Sequence, residues 1–372
     1  MRIIIVGTAY PYRGGLAAYN ERLARQFQSE GHEVEMVTFT LQYPNFLFPG
    51  KTQYSSEPYP KDLKIKRLIN SVNPISWIRT GKYLKKQSPD IVVFCYWMAF
   101  MAPCFGTIAR ILKSDSVKRI GLIHNMIPHE PTLLDKLFPK FFVNSMDGFV
   151  AMASSVINDI NKFDRKSKPK LMSPHPIYDN YGELVEKSAA LQKLKLNENF
   201  GYILFFGFIR HYKGLDLLIR AFADSRLRKF PLKLLIAGEY YEYKELYLKL
   251  IKEYQLDYFV ELHTEFIGDD DVKYYFCASD IVAQPYRSAT QSGVSQIAYY
   301  FNKPMLVTNV GGLADVVPNQ KVGYVVDVEV EKIADALVDF YSNDRMKEFT
   351  INVSEEKKKF EWSEMTRTLM KI

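Results

Sequence analysis

The sequence predicts an α/β protein of two doubly wound parallel-sheet domains, one after the other along the chain. Three observations point there. Short apolar runs alternate with helix-period stretches from end to end, the pattern left by repeated βαβ units. The alternation lapses around residues 176–200, then restarts as a second series of similar length. And 372 residues are too many for one ordinary core yet comfortable for two.

In the first series the expected strands are Arg2–Val6, Glu33–Phe39, Asp90–Tyr96, Arg119–His124 and Gly148–Ala153. The clearest helix is Leu16–Phe27, where Leu16, Tyr19, Leu23, Ala24 and Phe27 recur at the spacing of one face. Between Thr40 and Asp90 the periodicity fades into a Tyr- and Pro-rich stretch, expected as a long excursion of the first domain. Pro174 and Pro176 around His175, followed by the polar run Glu183–Ser188, mark the crossing between domains. The second series is expected as strands Tyr202–Phe206, Lys233–Ala237, Val260–His263, Asp280–Pro285 and Met305–Asn309. Helices Lys244–Glu253, Asp270–Cys277 and Ser292–Phe301 alternate with them. The expected division is a Rossmann-like domain over 1–175, a linker over 176–199 and a second Rossmann-like domain over 200–355. A helix within 356–372 is expected to pack back on the first domain. Sheets of this kind hold ligands beyond the carboxyl ends of their strands, so two such domains facing a cleft would place function in the loops there.

Composition narrows the class. Hydrophobic residues at 47% and charged residues at 24% describe a globular chain rather than a disordered or fibrous one. Three cysteines are too few for a disulfide framework and read as reduced thiols. The opening run Met1–Gly7 resembles a first strand rather than a signal segment, so a cytoplasmic location is expected. The net charge of +7 gathers at 61–67, 82–86 and 162–170. That excess fits a solvated face or docking at the inner face of a membrane; no recognition motif for nucleic acid accompanies it. Candidate membrane-facing segments are Tyr43–Tyr54 and Leu133–Phe142, the latter equally readable as a core-facing helix.

Three loops carry candidate chemistry. The first joins the opening strand to the first helix, where Gly14 and Gly15 would bring backbone N–H groups close to an anion. Ala9 and Tyr12 stand where the dinucleotide fingerprint G-x-G-x-x-G needs glycine, which argues against a dehydrogenase. Alone, a Gly-Gly turn is more often just a tight strand-to-helix connection. The second segment, Phe206–Leu218, sets Arg210 and Lys213 where two cations can converge on one anion. A diphosphate leaving group gathers negative charge as its bond to a sugar breaks, and fixed cations stabilise that charge. The dipole of a helix start disfavours cations, so their presence there needs a reason. In the third loop Gln291, Ser292, Gly293 and Val294 open a helix and present N–H groups suited to phosphate.

Five features in order resemble the family-4 retaining glycosyltransferases. They are the Gly14-Gly15 loop, His124 after a strand, the G-x-x-R-x-x-K-G run within 207–218, A-S-D-I-V-x-x-P at 278–285 and K-P-M-L-V-T-N-V-G-G-L at 303–313. The resemblance implies the GT-B fold, with the nucleotide-sugar donor on the second domain and the acceptor mostly on the first. It implies that Arg210 and Lys213 bind the diphosphate, that His124 lies near the transferred sugar, and that Gly14 and Gly15 approach the phosphates or sugar. Gly207, Phe266, Gln291, Ser292, Gly293 and Val294 would complete the donor site; Tyr12, Arg13 and His129 would lie on the acceptor side. The implied reaction moves a sugar from a UDP- or GDP-linked donor to a hydroxyl of a glycan or lipid-linked acceptor, with retention and without metal or cofactor. Cell-surface polysaccharide or lipopolysaccharide synthesis is the implied setting.

One departure stands out. Family members carry two glutamates eight positions apart, one for the donor sugar and one for the ribose; the matching positions here are Ala289 and Ile297. A non-catalytic nucleotide-sugar-binding subunit and a GT-B epimerase are therefore the rival expectations. Asp269-Asp270-Asp271 follows Gly268 and is expected to start a helix rather than hold a metal.

Overall fold

The computed structural model describes residues 1–44, 53–55, 58–126, 134–289 and 292–372. They form two compact units, Met1–Pro174 with Trp362–Ile372, and His175–Glu361.

The first unit runs β1 (Arg2–Val6), α1 (Gly15–Ser29), β2 (Glu33–Leu41), β3 (Ile65–Asn70), α2 (Pro74–Lys86), β4 (Ile91–Tyr96), α3 (Ala102–Ile111), β5 (Lys118–Ile123), α4 (Leu134–Val143), β6 (Gly148–Ala151), α5 (Ser154–Phe163) and β7 (Lys170–Met172). Its strands lie in the order β3-β2-β1-β4-β5-β6-β7, every neighbour pair parallel. The central strands are covered on both faces, which is why β4 is apolar throughout and wholly buried.

The excursion expected between Thr40 and Asp90 contains β3 and α2. Both lack the usual signature for a physical reason. As an edge strand, β3 keeps Lys66 and Arg67 and has no unbroken apolar run. Helix α2 buries Thr80, Gly81 and Leu84 and rests Trp77 and Tyr83 half-buried against the core, but leaves Ile75 and Ile78 exposed, so its apolar period misleads. Gly81 lets it lie flush on α3: a Cβ there would come within 2.8 Å of the Ile111 side chain.

The second unit runs α6 (Lys187–Lys193), β8 (Gly201–Phe206), α7 (Leu215–Phe222), β9 (Leu232–Ala237), α8 (Lys244–Glu253), β10 (Val260–His263), α9 (Asp269–Ala278), β11 (Ile281–Gln284), α10 (Gly293–Tyr300), β12 (Met305–Thr308), α11 (Leu313–Val316), β13 (Gly323–Val326), α12 (Val330–Ser342) and α13 (Arg345–Glu356). The strand order is β10-β9-β8-β11-β12-β13, again all parallel. Residues 176–199, expected as a linker, belong to this unit: Ala190 and Leu191 of α6 share a core with Val272 and Phe276 of α9. Asp269, Asp270 and Asp271 form the first turn of α9, where the helix dipole favours acids.

Two polar residues within the family-like motifs hold this unit together. Asp280 is buried, accepts the Tyr202 N–H at 2.9 Å and pairs with Lys187 of α6. Lys303 donates to the carbonyls of Cys277 and Ser279 at 3.2 and 2.9 Å, capping the carboxyl end of α9.

The chain returns to the first unit in α14 (Trp362–Met370). The returning helix starts at Trp362; residues 356–361 stay with the second unit. Trp362, Met365 and Leu369 share a core with Tyr19, Leu23 and Phe27 of α1. Asp280→Ala should leave Lys187 and the Tyr202 N–H short of an acceptor and cost about 3 kcal/mol in urea unfolding.

Candidate functional site

In the second unit the strand order reverses between β8 and β11, and the loops leaving those two strands meet. A sheet of this class receives its ligand at such a point. After β8 the chain passes through Gly207 at φ +91 and makes a short 3₁₀ turn, His211–Lys213. It then reverses at Gly214, φ +68, into α7. A Cβ on Gly214 would lie 2.0 Å from the carbonyl oxygen of Pro285 in the β11 loop, so only glycine fits.

Arg287 fastens the same junction. Its guanidinium makes two bonds to Asp216, at 2.8 and 2.6 Å, and a third to the His211 carbonyl at 3.0 Å. Its backbone N–H donates to the Tyr212 carbonyl at 2.6 Å. Asp216 is held below the usual carboxylate range, burial being outweighed by the hydrogen bonds and charge of Arg287. The turn carrying Arg210 and Lys213 is thus gripped on its backbone by a bidentate ion pair. Sequence reasoning missed Arg287 and Asp216; an Arg and an Asp far apart in sequence give no local signal.

The turn brings Arg210 and Lys213 together. Lys213 is only 8% exposed, and no carboxylate pairs with it among the described residues. Its ammonium lies 5.7 Å from the centre of the Tyr286 ring, and a Cβ on Gly207 would sit 2.9 Å from it. Burial, then the charge of Arg210, push its pKa down to about 8. Arg210 is exposed, its guanidinium 4.6 Å from the centre of the Tyr241 ring. Two cations side by side, one nearly dry and paired with no carboxylate among the described residues, have the chemistry to receive a polyanion.

The other candidates of this unit divide. Ser292 caps α10, and its Oγ accepts the Val294 N–H at 3.2 Å, which takes that N–H out of the phosphate-facing set. Gly293 is exposed at the first position of the helix. Phe266 is 72% exposed on a surface pocket of about 330 Å³ after β10, shared with His263, Asp271 and Tyr275. Gln291 lies outside the described residues. Ile297 is buried in the core and Ala289 packs against it, so neither glutamate position is rebuilt as a polar site. Gln296 is buried too.

In the first unit the reversal falls between β1 and β4. Gly14 is the N-cap of α1 at φ +106, and both Gly14 and Gly15 face open space. Arg13 is exposed beside them. Tyr12, expected on the acceptor side, turns inward: its ring is buried against Phe39 and Tyr54, and its hydroxyl accepts the Gln42 N–H at 3.1 Å. His124 follows β5, its N–H bonded to the Tyr96 carbonyl at 2.8 Å and its ring edge-on to Tyr19 at 4.8 Å. Tyr19 in turn meets Trp362 of α14 at 5.0 Å. His129 lies outside the described residues.

Comparison with known proteins decides the family. The model for glycosyl transferases group 1 matches residues 186–359, and that for glycosyltransferase family 4 matches residues 13–171. The chain belongs to the family-4 glycosyltransferases. An N-acetyl-alpha-D-glucosaminyl L-malate synthase of Bacillus anthracis is 22% identical over 93% of this glycosyltransferase and 89% of its own length. Among solved structures, a lipopolysaccharide outer core galactosyltransferase in its apo form is similar at TM-score 0.70, with 12% identity, over 100% of this chain and 99% of that one. The Anabaena protein HepE in complex with UDP is similar at TM-score 0.69, with 13% identity, over 100% of both chains. At such identities the likeness establishes the fold, which is GT-B.

The buried cation gives this glycosyltransferase a stability signature. Lys213→Met should raise stability at neutral pH by on the order of 3 kcal/mol, because a desolvated charge without a partner is removed. Since the folded-state pKa lies below the ordinary 10.5, the unfolded chain binds more protons between about pH 8 and 10.5. Wild-type stability should therefore gain on that of the variant as pH rises through this interval, as urea unfolding at several pH values will show.

Proposed function

We propose that this glycosyltransferase takes a sugar from a UDP- or GDP-linked donor and passes it, with retention, to a hydroxyl of a glycan or lipid-linked acceptor in the synthesis of a surface polysaccharide. The observation that carries the donor assignment is Lys213: a nearly buried ammonium, beside Arg210, with no carboxylate paired to it among the described residues. A diphosphate supplies the missing negative charge. As the sugar–phosphate bond breaks, charge grows on the leaving oxygen, and cations already fixed in place stabilise it without reorganising. Two fixed cations meet the need for which other enzymes use a divalent metal, and we propose that none is required. The departing phosphate oxygen takes the acceptor proton on the same face, and His124 steadies the transferred sugar.

Several features support this scheme. Arg287 and Asp216 hold the cation-bearing turn rigid, as preorganised electrostatics requires. The HepE structure contains UDP, and the galactosyltransferase acts on the lipopolysaccharide outer core. A second reading, a nucleotide-binding subunit without turnover, is favoured by one observation: Ala289 and Ile297 offer no polar side chain where the family's two glutamates stand.

Titration with UDP and with GDP by calorimetry tests the donor site. One nucleotide should bind, and Arg210→Ala should weaken it by about 2 kcal/mol. Absence of binding by either nucleotide overturns the assignment; binding without transfer from any sugar-linked form supports the second reading. Affinity should fall above about pH 8, as Lys213 loses its proton, with proton uptake on binding near that pH.

A further inference from the structure

We infer that the outer face of α2 is a docking surface for an anionic lipid bilayer. The helix is well anchored: Asn73 caps it by accepting the Ile75 N–H at 2.9 Å, Pro74 opens it, and Gly81 seats it on α3. At 100° per residue, the inward residues Thr80, Gly81 and Leu84 fall on one side. Ile75, Ile78, Arg79, Lys82, Lys85 and Lys86 fall opposite, within a sector of about 120°. All six are exposed, Ile75 at 60% and Ile78 at 43%, and Val72 just ahead of the helix is 48% exposed.

The composition of this strip is what distinguishes it. No acidic residue occurs from Ser71 to Pro89. Among the described residues none of the four cations makes an ion pair, although Lys64 and Lys66 nearby are drawn to Glu35. An ordinary solvated face mixes both signs and scatters its aliphatic residues singly. Here three aliphatic side chains sit together at one end of a purely cationic helix face. A bilayer suits that arrangement: phosphate headgroups draw the cations, and Val72, Ile75 and Ile78 reach the acyl boundary.

The two segments suggested by the sequence are weaker candidates. Residues 45–52 lie outside the described residues. In α4, Phe142 and Val143 are in the core and Phe141 lies under the Arg110 guanidinium, 3.8 Å from the ring centre. No helix among the described residues is long and apolar enough to cross a membrane, so the contact is one of surface adsorption. It deepens the proposal of a lipid-linked acceptor and rests on that proposal for its purpose, while its chemistry stands on α2 alone.

Co-sedimentation of the full chain, without nucleotide, with phosphatidylcholine vesicles lacking or containing phosphatidylglycerol tests the surface. The chain should partition onto the phosphatidylglycerol vesicles. Lys82→Gln with Lys85→Gln should lower that partition roughly 25-fold, at about fivefold per charge. Ile75→Ser with Ile78→Ser, which keeps every charge, should lower it at least about tenfold. All variants should keep the wild-type melting temperature and the wild-type titration with UDP and with GDP. A wild type that stays in the supernatant overturns the inference, as does an isoleucine pair variant that binds like wild type. So does a wild-type dimer that the isoleucine substitutions convert to a monomer in analytical ultracentrifugation, which would assign the face to a second copy. Because vesicle binding and nucleotide binding are read separately, failure of one leaves the other standing.

Discussion

The second unit is organised around the contact between Gly214 and the Pro285 carbonyl. Two loops leaving neighbouring strands approach so closely that no side chain fits between them. Arg287 then locks the approach from the β11 side, through Asp216 and two carbonyls of the turn. Within that grip Lys213 is carried into a dry position it would not adopt as a free side chain. A loosely held lysine would swing to water and recover its hydration; a lysine on a clamped turn stays desolvated. The polar clamp and the unneutralised cation are thus two parts of one device.

The device is set against stability. Among the described residues most buried charges are compensated, as Asp280 is by Lys187 and Glu356 by Lys321. Lys213 is the contrasting case, paired with no carboxylate among the described residues; under the proposed function that charge is kept for the donor's diphosphate rather than for folding. Lys303, almost as buried, shows the structural alternative. Its ammonium is satisfied by the carbonyls ending α9, and the residue serves the fold.

How much of this was legible in the sequence followed from how local the signal was. Buried central strands such as β4 and β9 declare themselves as apolar runs, and the limits of α8 and β10 could be read to the residue. The edge strand β3 and the outward-facing apolar residues of α2 hid both elements, because solvent rather than core dictates their outer faces. Arg210 and Lys213 were visible because the turn is contiguous in sequence. Arg287 and Asp216 were not, since their pairing exists only once two loops meet. Tyr12, beside Gly14 and Gly15, was expected on the acceptor side, yet its ring turns inward to Phe39; a loop position does not reveal which way a side chain faces.

The route of the chain has a further consequence, for biosynthesis. Tyr19 lies against the His124 ring on one side and Trp362 on another. The apolar stripe of α1, with Leu23 and Phe27, is closed by Met365 and Leu369. The second unit is one uninterrupted stretch, whereas the first needs residues from both sides of it. On the ribosome, at about 5–20 residues per second, the intervening stretch takes on the order of ten seconds or more to emerge. During that time the half of the protein made first still lacks α14, and the surroundings of His124 are unfinished. Order of synthesis and order of completion are therefore reversed: the second unit has all its chain before the first does, and a nascent protein released early would lack the finished surroundings of His124.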